Sequence, residues 1–329
     1  MSLKNIKNRI RSIKNTSQIT KAMEMVAASK MRKAQEFAIN TRFYAIKAIE
    51  FITNLSGSLK DVRHYLLDVQ KSDRICFLVV TSDKGLCSGY NSAVLSAVLK
   101  FSEECESPLT DSTSSLDKDR DKSPQASLGH KNIDIIAVGK KGADFLKGRK
   151  FNVVASFSGF GDYIELDETI PIAKILMEYQ KEGKYKEVYV FYNKFISTLK
   201  QKVLSHKILP FDFDVFQEIS KEIIPETGKY SEFKKEFVQS KSGREEYILE
   251  PSVAKIVDVL LPNLFEIQIH CVVLESNAAE HSARMVAMKN ASDNAKDIVE
   301  DLKLVYNKAR QANITRELSE ISAGAEVLK

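Results

Sequence analysis

A strand, a tight turn and a helix in succession form the place where an α/β protein offers backbone N–H groups to a phosphate. Asp83-Lys-Gly-Leu-Cys-Ser-Gly89 stands in such a position, between an apolar run and a helical one. It carries neither the GxGxxG nor the GxxxxGK[ST] spacing. The segment is therefore read as a structural turn, with Asp83 and Lys84 available to touch a neighbouring chain. Cys87 is the candidate nucleophile of this turn, but His64, His130, His206, His270 and His281 are dispersed and none stands in a recognisable signature with it. Cys76, Cys87, Cys105 and Cys271 show no CxxC or zinc-type spacing, so the sequence suggests neither a metal site nor a disulfide framework. Arg310 and Gln311 are adjacent near the C-terminus, with Thr315 one turn beyond Gln311. Periodicity alone makes that cluster, like Arg284 earlier on the same helix, an exposed face. Met23 and Met25 have the spacing of core or seam residues, and Lys21 and Lys30 that of solvated charges.

Two long helices must carry these groups. From Leu3 to about Leu55 there is no proline, and the apolar rhythm is far longer than an ordinary globular helix. Two rows at heptad spacing stand out: Ala27, Ala34, Thr41, Ala48 and Leu55, then Met31, Ala38, Ala45 and Ile52. Ser56-Gly57-Ser58 reads as the helix stop. At the other end, Ser276 to Glu326 is again free of proline, and Met288, Ala291, Ala295, Ile298, Leu302, Val305, Ala309 and Ala312 alternate spacings of three and four. The chain between them must leave and return, so the economical arrangement is an antiparallel coiled coil of the two terminal helices. A homodimeric coiled coil would satisfy the same pattern.

Between the helices, short apolar runs at Ile75 to Thr81, Ile133 to Val138, Asn152 to Phe157 and Val188 to Tyr192 alternate with helical segments at Asn91 to Phe101, Lys140 to Leu146 and Glu168 to Gln180. That alternation predicts an inserted Rossmann-like, open and mostly parallel α/β domain. The expected layout is an N-terminal helix over 1–59, the α/β domain over 72–215, a polar connector over 216–246, and a C-terminal helical region over 247–329 that completes the coiled coil. The Ser-, Asp- and Lys-rich stretch 106–132 cannot bury a core and reads as a surface loop within the domain.

The chain has 329 residues, 43% of them hydrophobic, and a formal charge of only +5. It can bury a core, and its overall balance does not call for nucleic acid or an anionic membrane. The first helix is locally basic, with Lys4, Lys7, Arg9, Arg11 and Lys14 preceding its first acid, Glu24, and so favours an acidic or dipolar partner. No stretch approaches about 18 uninterrupted apolar residues, and charges stand where a signal peptide has its apolar region. The expectation is a soluble protein that meets a membrane only through other chains.

Three segments carry a family resemblance. Ile19-Thr-Lys-Ala-Met-Glu-Met-Val-Ala-Ala-Ser-Lys-Met-Arg-Lys33 resembles the N-terminal signature of F-type ATP synthase γ subunits. Thr81-Ser-Asp-Lys-Gly-Leu-Cys-Ser-Gly-Tyr-Asn91 resembles that family's loop after the first strand, and Glu280 to Asn294 with Leu304 to Leu318 its C-terminal signature. The resemblance implies a rotor without cofactor or catalytic group, turning inside a hexamer of α and β subunits and joined at its α/β domain to an ε subunit and a ring of c subunits. It implies that Met23, Arg284, Arg310, Gln311 and Thr315 make coupling contacts, with Lys21, Lys30, Asp83 and Lys84 as secondary ones. It places the chain at the cytoplasmic face of a bacterial inner membrane. Ser88 stands where the family usually has glycine, which would make a positive φ less comfortable there. Two other readings of the residues remain: a nucleotide-dependent enzyme dimerised by its terminal helices, and a coiled-coil scaffold.

Overall fold

In the computed structural model, residues 2–59, 64–106, 132–161, 164–212, 215 and 252–327 are described, and for 38–59, 106, 253 and 323–327 the backbone alone. The stretches 107–131 and 216–251, which hold nearly all of both polar segments, lie outside them, as do the side chains of Ala38, Thr41, Ala45, Ala48, Ile52 and Leu55. The elements run α1 (Leu3–Leu59), β1 (Ile75–Val80), α2 (Tyr90–Glu106), β2 (Ile133–Val138), α3 (Lys140–Gly148), β3 (Asn152–Phe157), α4 (Leu166–Lys181), β4 (Glu187–Phe195), β5 (Gln201–Leu209) and α5 (Val253–Val327). The chain divides into two compact units, Met1–Ser29 with Arg284–Lys329, and Lys30–Ala283.

The second unit is built on a five-stranded sheet of order β3-β2-β1-β4-β5, parallel except for the antiparallel β4–β5 pair. Successive side chains of a strand face opposite ways, and here both faces are covered, which is why β1, and β2 apart from Asp134, are apolar. Cys76, Leu78 and Val80 pack with Ile172 and Leu176 of α4 and with Phe265, Val272 and Leu274 of α5. Phe77 and Val79 face Val94 and Val98 of α2 and Leu146 of α3. Glu165 and Glu168 form a capping box at the start of α4. In α5 every residue from Leu264 to Ser276 except Glu266 is buried. By length and composition that helix could cross a membrane, but 61% of its apolar window is covered within the protein.

His270 is buried on α5, where its Nδ1 lies 3.1 Å from the Thr169 hydroxyl of α4. Burial pushes its imidazole down to about 4 from an ordinary 6.5. The unfolded chain therefore binds the extra proton between those values, and stability is full above pH 6.5 and falls as pH drops towards 4. The whole effect is about 3 kcal/mol, since one pKa unit is about 1.4 kcal/mol. His270→Gln, which keeps a polar partner for Thr169, is expected to lose less of its urea midpoint than the parent between pH 7 and pH 4.5. Equal losses would contradict this account.

In the first unit α1 and α5 run antiparallel, and Ser17 fixes their register. Its hydroxyl donates to the Ser292 carbonyl at 3.3 Å, and the Ser292 hydroxyl donates to the Ser17 carbonyl at 3.3 Å. A shielded row of α1 runs through Ile6, Ile10, Ile13, Ser17, Thr20, Glu24 and Ala27 and continues through the buried Met31 and Ala34. These alternate spacings of four and three, the heptad read from the sequence.

One expectation is corrected. On α5 the seam is Met288, Ser292, Ala295, Val299, Leu302, Tyr306, Ala309 and Asn313, whereas Ile298 and Val305 are about half exposed, Ala312 is exposed and Ala291 is only partly covered. An apolar count had favoured the neighbours of Ser292 and Asn313, and a heptad tolerates that one-residue shift in half of its positions. Helix α5 runs from Val253 and passes over Pro262. Ser56-Gly57-Ser58 lies in the last turn of α1, which runs to Leu59.

Candidate functional site

The residues that could meet other chains fall into two levels on the helical pair. With Ser17 opposite Ser292, Arg284 is eight residues back along α5 and lies level with residue 25 of α1, close to Met23. Both side chains are half-buried. Lys21, nearby on α1, is exposed and holds Glu24 in an ion pair of 2.9 Å. Arg310, Gln311 and Thr315 form the second level, about 39 Å further along α5 at 1.5 Å per residue. The start of α1 lies opposite residue 306, so α5 continues for about 30 Å with no α1 beside it. Accordingly Arg310, Gln311 and Thr315 are exposed, and the Thr315 hydroxyl donates to the Gln311 carbonyl at 3.0 Å. Ile314, Leu318 and Ile321 add an exposed apolar row at spacings of four and three. The structure thus sets Met23, Lys21 and Arg284 at one level of the helical pair and Arg310, Gln311 and Thr315 at another.

In the sheet unit, Lys30 is half-buried on α1 and Lys84 is exposed. Asp83 is turned inward: its Oδ1 accepts the Lys140 N–H at 2.9 Å and its Oδ2 the Gly159 N–H at 2.7 Å. The next two N–H groups of α3 are also taken, Lys141 by the Ser82 carbonyl at 3.1 Å and Gly142 by the Thr81 hydroxyl at 3.0 Å. An anion would sit on these groups, and the loop after β1 fills the place with its own carboxylate, carbonyl and hydroxyl. The approach is close enough to demand glycine, because a Cβ at Gly139 would lie 2.2 Å from the Thr81 carbonyl oxygen. Ser88 has φ 53° and is exposed, so the left-handed conformation is adopted without glycine. Cys87 is buried, its Sγ 3.4 Å from Asn91 Nδ2 and 3.7 Å from Ser82 Oγ. Among the described residues no cluster of His, Cys, Asp and Glu has a metal-binding arrangement.

At the amino ends of the strands lies a buried group that sequence spacing did not reveal. Asp134 on β2 receives Arg74 Nη2, Asn152 Nδ2 and the Tyr185 hydroxyl, each at 2.7 Å. Burial first, and the bond to Asp134 second, push the Tyr185 hydroxyl far above its ordinary pKa. This network ties β1, β2, β3 and the approach to β4 together. Its members are up to 111 residues apart in the chain, which is why no local motif announces it.

The ATP synthase family model matches residues 2–328. The ATP synthase gamma chain of Variovorax paradoxus is 39% identical over 322 residues, 98% of this chain and 97% of that one. The gamma chain of Roseiflexus castenholzii is 37% identical over 329 residues, 99% of this chain and 98% of its own. Two solved structures share the fold. A chain of the Euglena gracilis mitochondrial ATP synthase OSCP/F1/c-ring assembly has a TM-score of 0.59 at 18% identity, covering 99% of this chain and 94% of that one. A chain of the Tetrahymena thermophila mitochondrial ATP synthase central stalk and c-ring has a TM-score of 0.52 at 22% identity, covering 83% and 99%. With gamma-chain relatives matching from end to end, and with both a helical pair and a five-stranded α/β unit, this chain belongs to the ATP synthase γ-chain family.

Proposed function

We propose that this γ chain serves ATP synthesis mechanically, as a central rotor stalk that supplies no catalytic group of its own. The observation that carries this reading is the unaccompanied end of α5. A lone helix with Ile314, Leu318 and Ile321 exposed beside Arg310, Gln311 and Thr315 is poorly suited to water and well suited to a surrounding sleeve of other chains. The α and β subunits of the catalytic hexamer are the proposed sleeve. Arg310 and Gln311 hydrogen-bond a β subunit in one rotary orientation, while Met23 and Arg284, with Lys21 and Lys30 as secondary charges, meet an acidic β-subunit loop in another. Each orientation then favours a different nucleotide affinity at each catalytic site, because a partner that contacts two conformations unequally shifts their populations. The sheet unit is assigned to the ε subunit and the ring of c subunits, with Lys84 exposed for such contact and Asp83 already engaged within the fold. The assembly would lie on the cytoplasmic face of a bacterial inner membrane.

The nucleotide-enzyme alternative finds its phosphate position already filled by Asp83 and Thr81. The purified chain, shown free of other subunits, is expected neither to hydrolyse ATP nor to bind it at millimolar concentration. It should recover hydrolysis-coupled activity only on mixing with α and β subunits, and should co-purify with α, β and ε in fixed ratio. ATP turnover by the chain alone would overturn the proposal.

A further inference from the structure

In an open α/β sheet the crevice for a ligand lies at the carboxyl ends of the strands, where the strand order reverses. Here that point is between β1 and β4: β2 and β3 lie on one side of β1, β4 and β5 on the other. Both loops leaving this point grip α5. From the loop after β1 and the start of α2, the buried Tyr90 places its hydroxyl 2.6 Å from Ser276 Oγ and 3.0 Å from the Ser276 carbonyl oxygen. From the turn after β4, the Thr198 carbonyl accepts the Ser282 hydroxyl at 3.0 Å. Asn193 of β4 joins the two sides by donating to the Tyr90 carbonyl at 2.8 Å. Between these ties Cys87 and Tyr90 form one buried apolar cluster with Ala279 and Ala283 of α5, and Phe195 packs against it. The α5 residues concerned are serine or alanine, small enough for a helix to be drawn close to backbone.

We infer that the ligand crevice of this sheet has become a permanent helix clamp, with Tyr90 and Ser282 as the positioning residues that make the sheet unit turn with α5. The inference rests on the rotor reading and adds the place where torque passes between sheet and helix. A clamp with hydrogen bonds at both ends resists rotation of the helix about its own axis, which apolar contact alone resists weakly. Both ties fall on the final turns of α5 that belong to the sheet unit, which extends to Ala283.

The test uses the complete ATP synthase carrying Tyr90→Phe with Ser282→Ala, which removes both side-chain ties and keeps the ring and the apolar cluster. Protons pumped per ATP hydrolysed are expected to fall at least twofold against an opposing gradient, while hydrolysis with the gradient dissipated stays within about a fifth of the parent rate. A merely structural role would lower assembly or both rates and leave the ratio unchanged. A second variant adds Ala279→Cys or Ala283→Cys, so that mild oxidation can join the loop to α5 through Cys87, with Cys105→Ser preventing side reactions. Oxidation should restore the pumping ratio, and reduction should abolish the rescue. Four results would overturn the clamp: an unchanged ratio in the weakened variant, thiols that do not pair, a tie that gives no rescue, or a tie that stops pumping in an otherwise parental chain. A wrong rotor reading would be recognised separately, because the parental chain would then support no coupled pumping at all.

Discussion

Alanine in place of Asp134 is expected to lower the stability of the sheet unit by about 3 kcal/mol or more, the usual loss when one partner of a buried ionic group is removed. Asp134 is 1% exposed and holds three donors at 2.7 Å. Its removal leaves the Tyr185 hydroxyl and the Asn152 amide without their acceptor, and Arg74 Nε already has no recorded partner. The Arg74 side chain is 42% exposed, so water can compensate the guanidinium in part, and the larger cost falls on the buried groups. Asp134→Asn keeps the volume and one acceptor oxygen, and should cost roughly half as much. At a urea dependence of about 2–3 kcal/mol per molar, the alanine variant should shift the midpoint down by about 1 M. Hydrogen exchange should lose protection in β1 and β2 first, while the helical pair of the other unit keeps its own. A midpoint within about 0.2 M of the parent would mean that the network is dispensable.

Replacing Arg310 and Gln311 together by alanine is expected to slow turnover of the assembled synthase about tenfold or more, with assembly intact. Both are exposed and lie off the α5 seam, whose nearest members are Ala309 and Asn313, so the helical pair loses no packing. Alanine is also the best helix former, and the unaccompanied stretch keeps its helicity. The proposed contact that would be removed is a charge-assisted hydrogen bond to a neighbouring subunit, worth about 1.5–3 kcal/mol once desolvated. Each decade of rate corresponds to about 1.4 kcal/mol. ATP hydrolysis and proton pumping by the double variant are the measurements, with subunit ratio and helicity checked alongside. Normal rates in an intact assembly would make the pair a solvated surface and nothing more.

Regular alternation was legible in the sequence wherever an element was amphipathic or fully sheet-like. The bounds of β2 and β3 were read as they stand, and the α1 row through Ala27, Met31 and Ala34 is buried as its heptad required. Strand β5 was not read: it is an edge strand, flanked and interrupted by Lys200, Lys202 and Lys207, and its half-covered positions give a weak alternation. No heptad was read in α5 before Ser276, because a helix covered on all sides has no polar face to mark its period. The proposed contact residues rest on resemblance, since an exposed Arg-Gln pair has no signature of its own. Asp134 and Tyr90 escaped for another reason. Tyr90 meets Ser276 from 186 residues away, and Asp134 meets Arg74 from 60, so neither partnership leaves a local pattern.

The central claim is that this chain turns within its assembly while other chains carry the chemistry. Cys105, exposed at the end of α2, is a suitable handle for a bead, since Cys76, Cys87 and Cys271 are buried. With the assembly fixed to a surface through its β subunits and the bead observed under ATP, the account predicts sustained rotation in one direction that stops when ATP is withdrawn. ATP hydrolysis at the parental rate with a bead that only fluctuates about one position would contradict it.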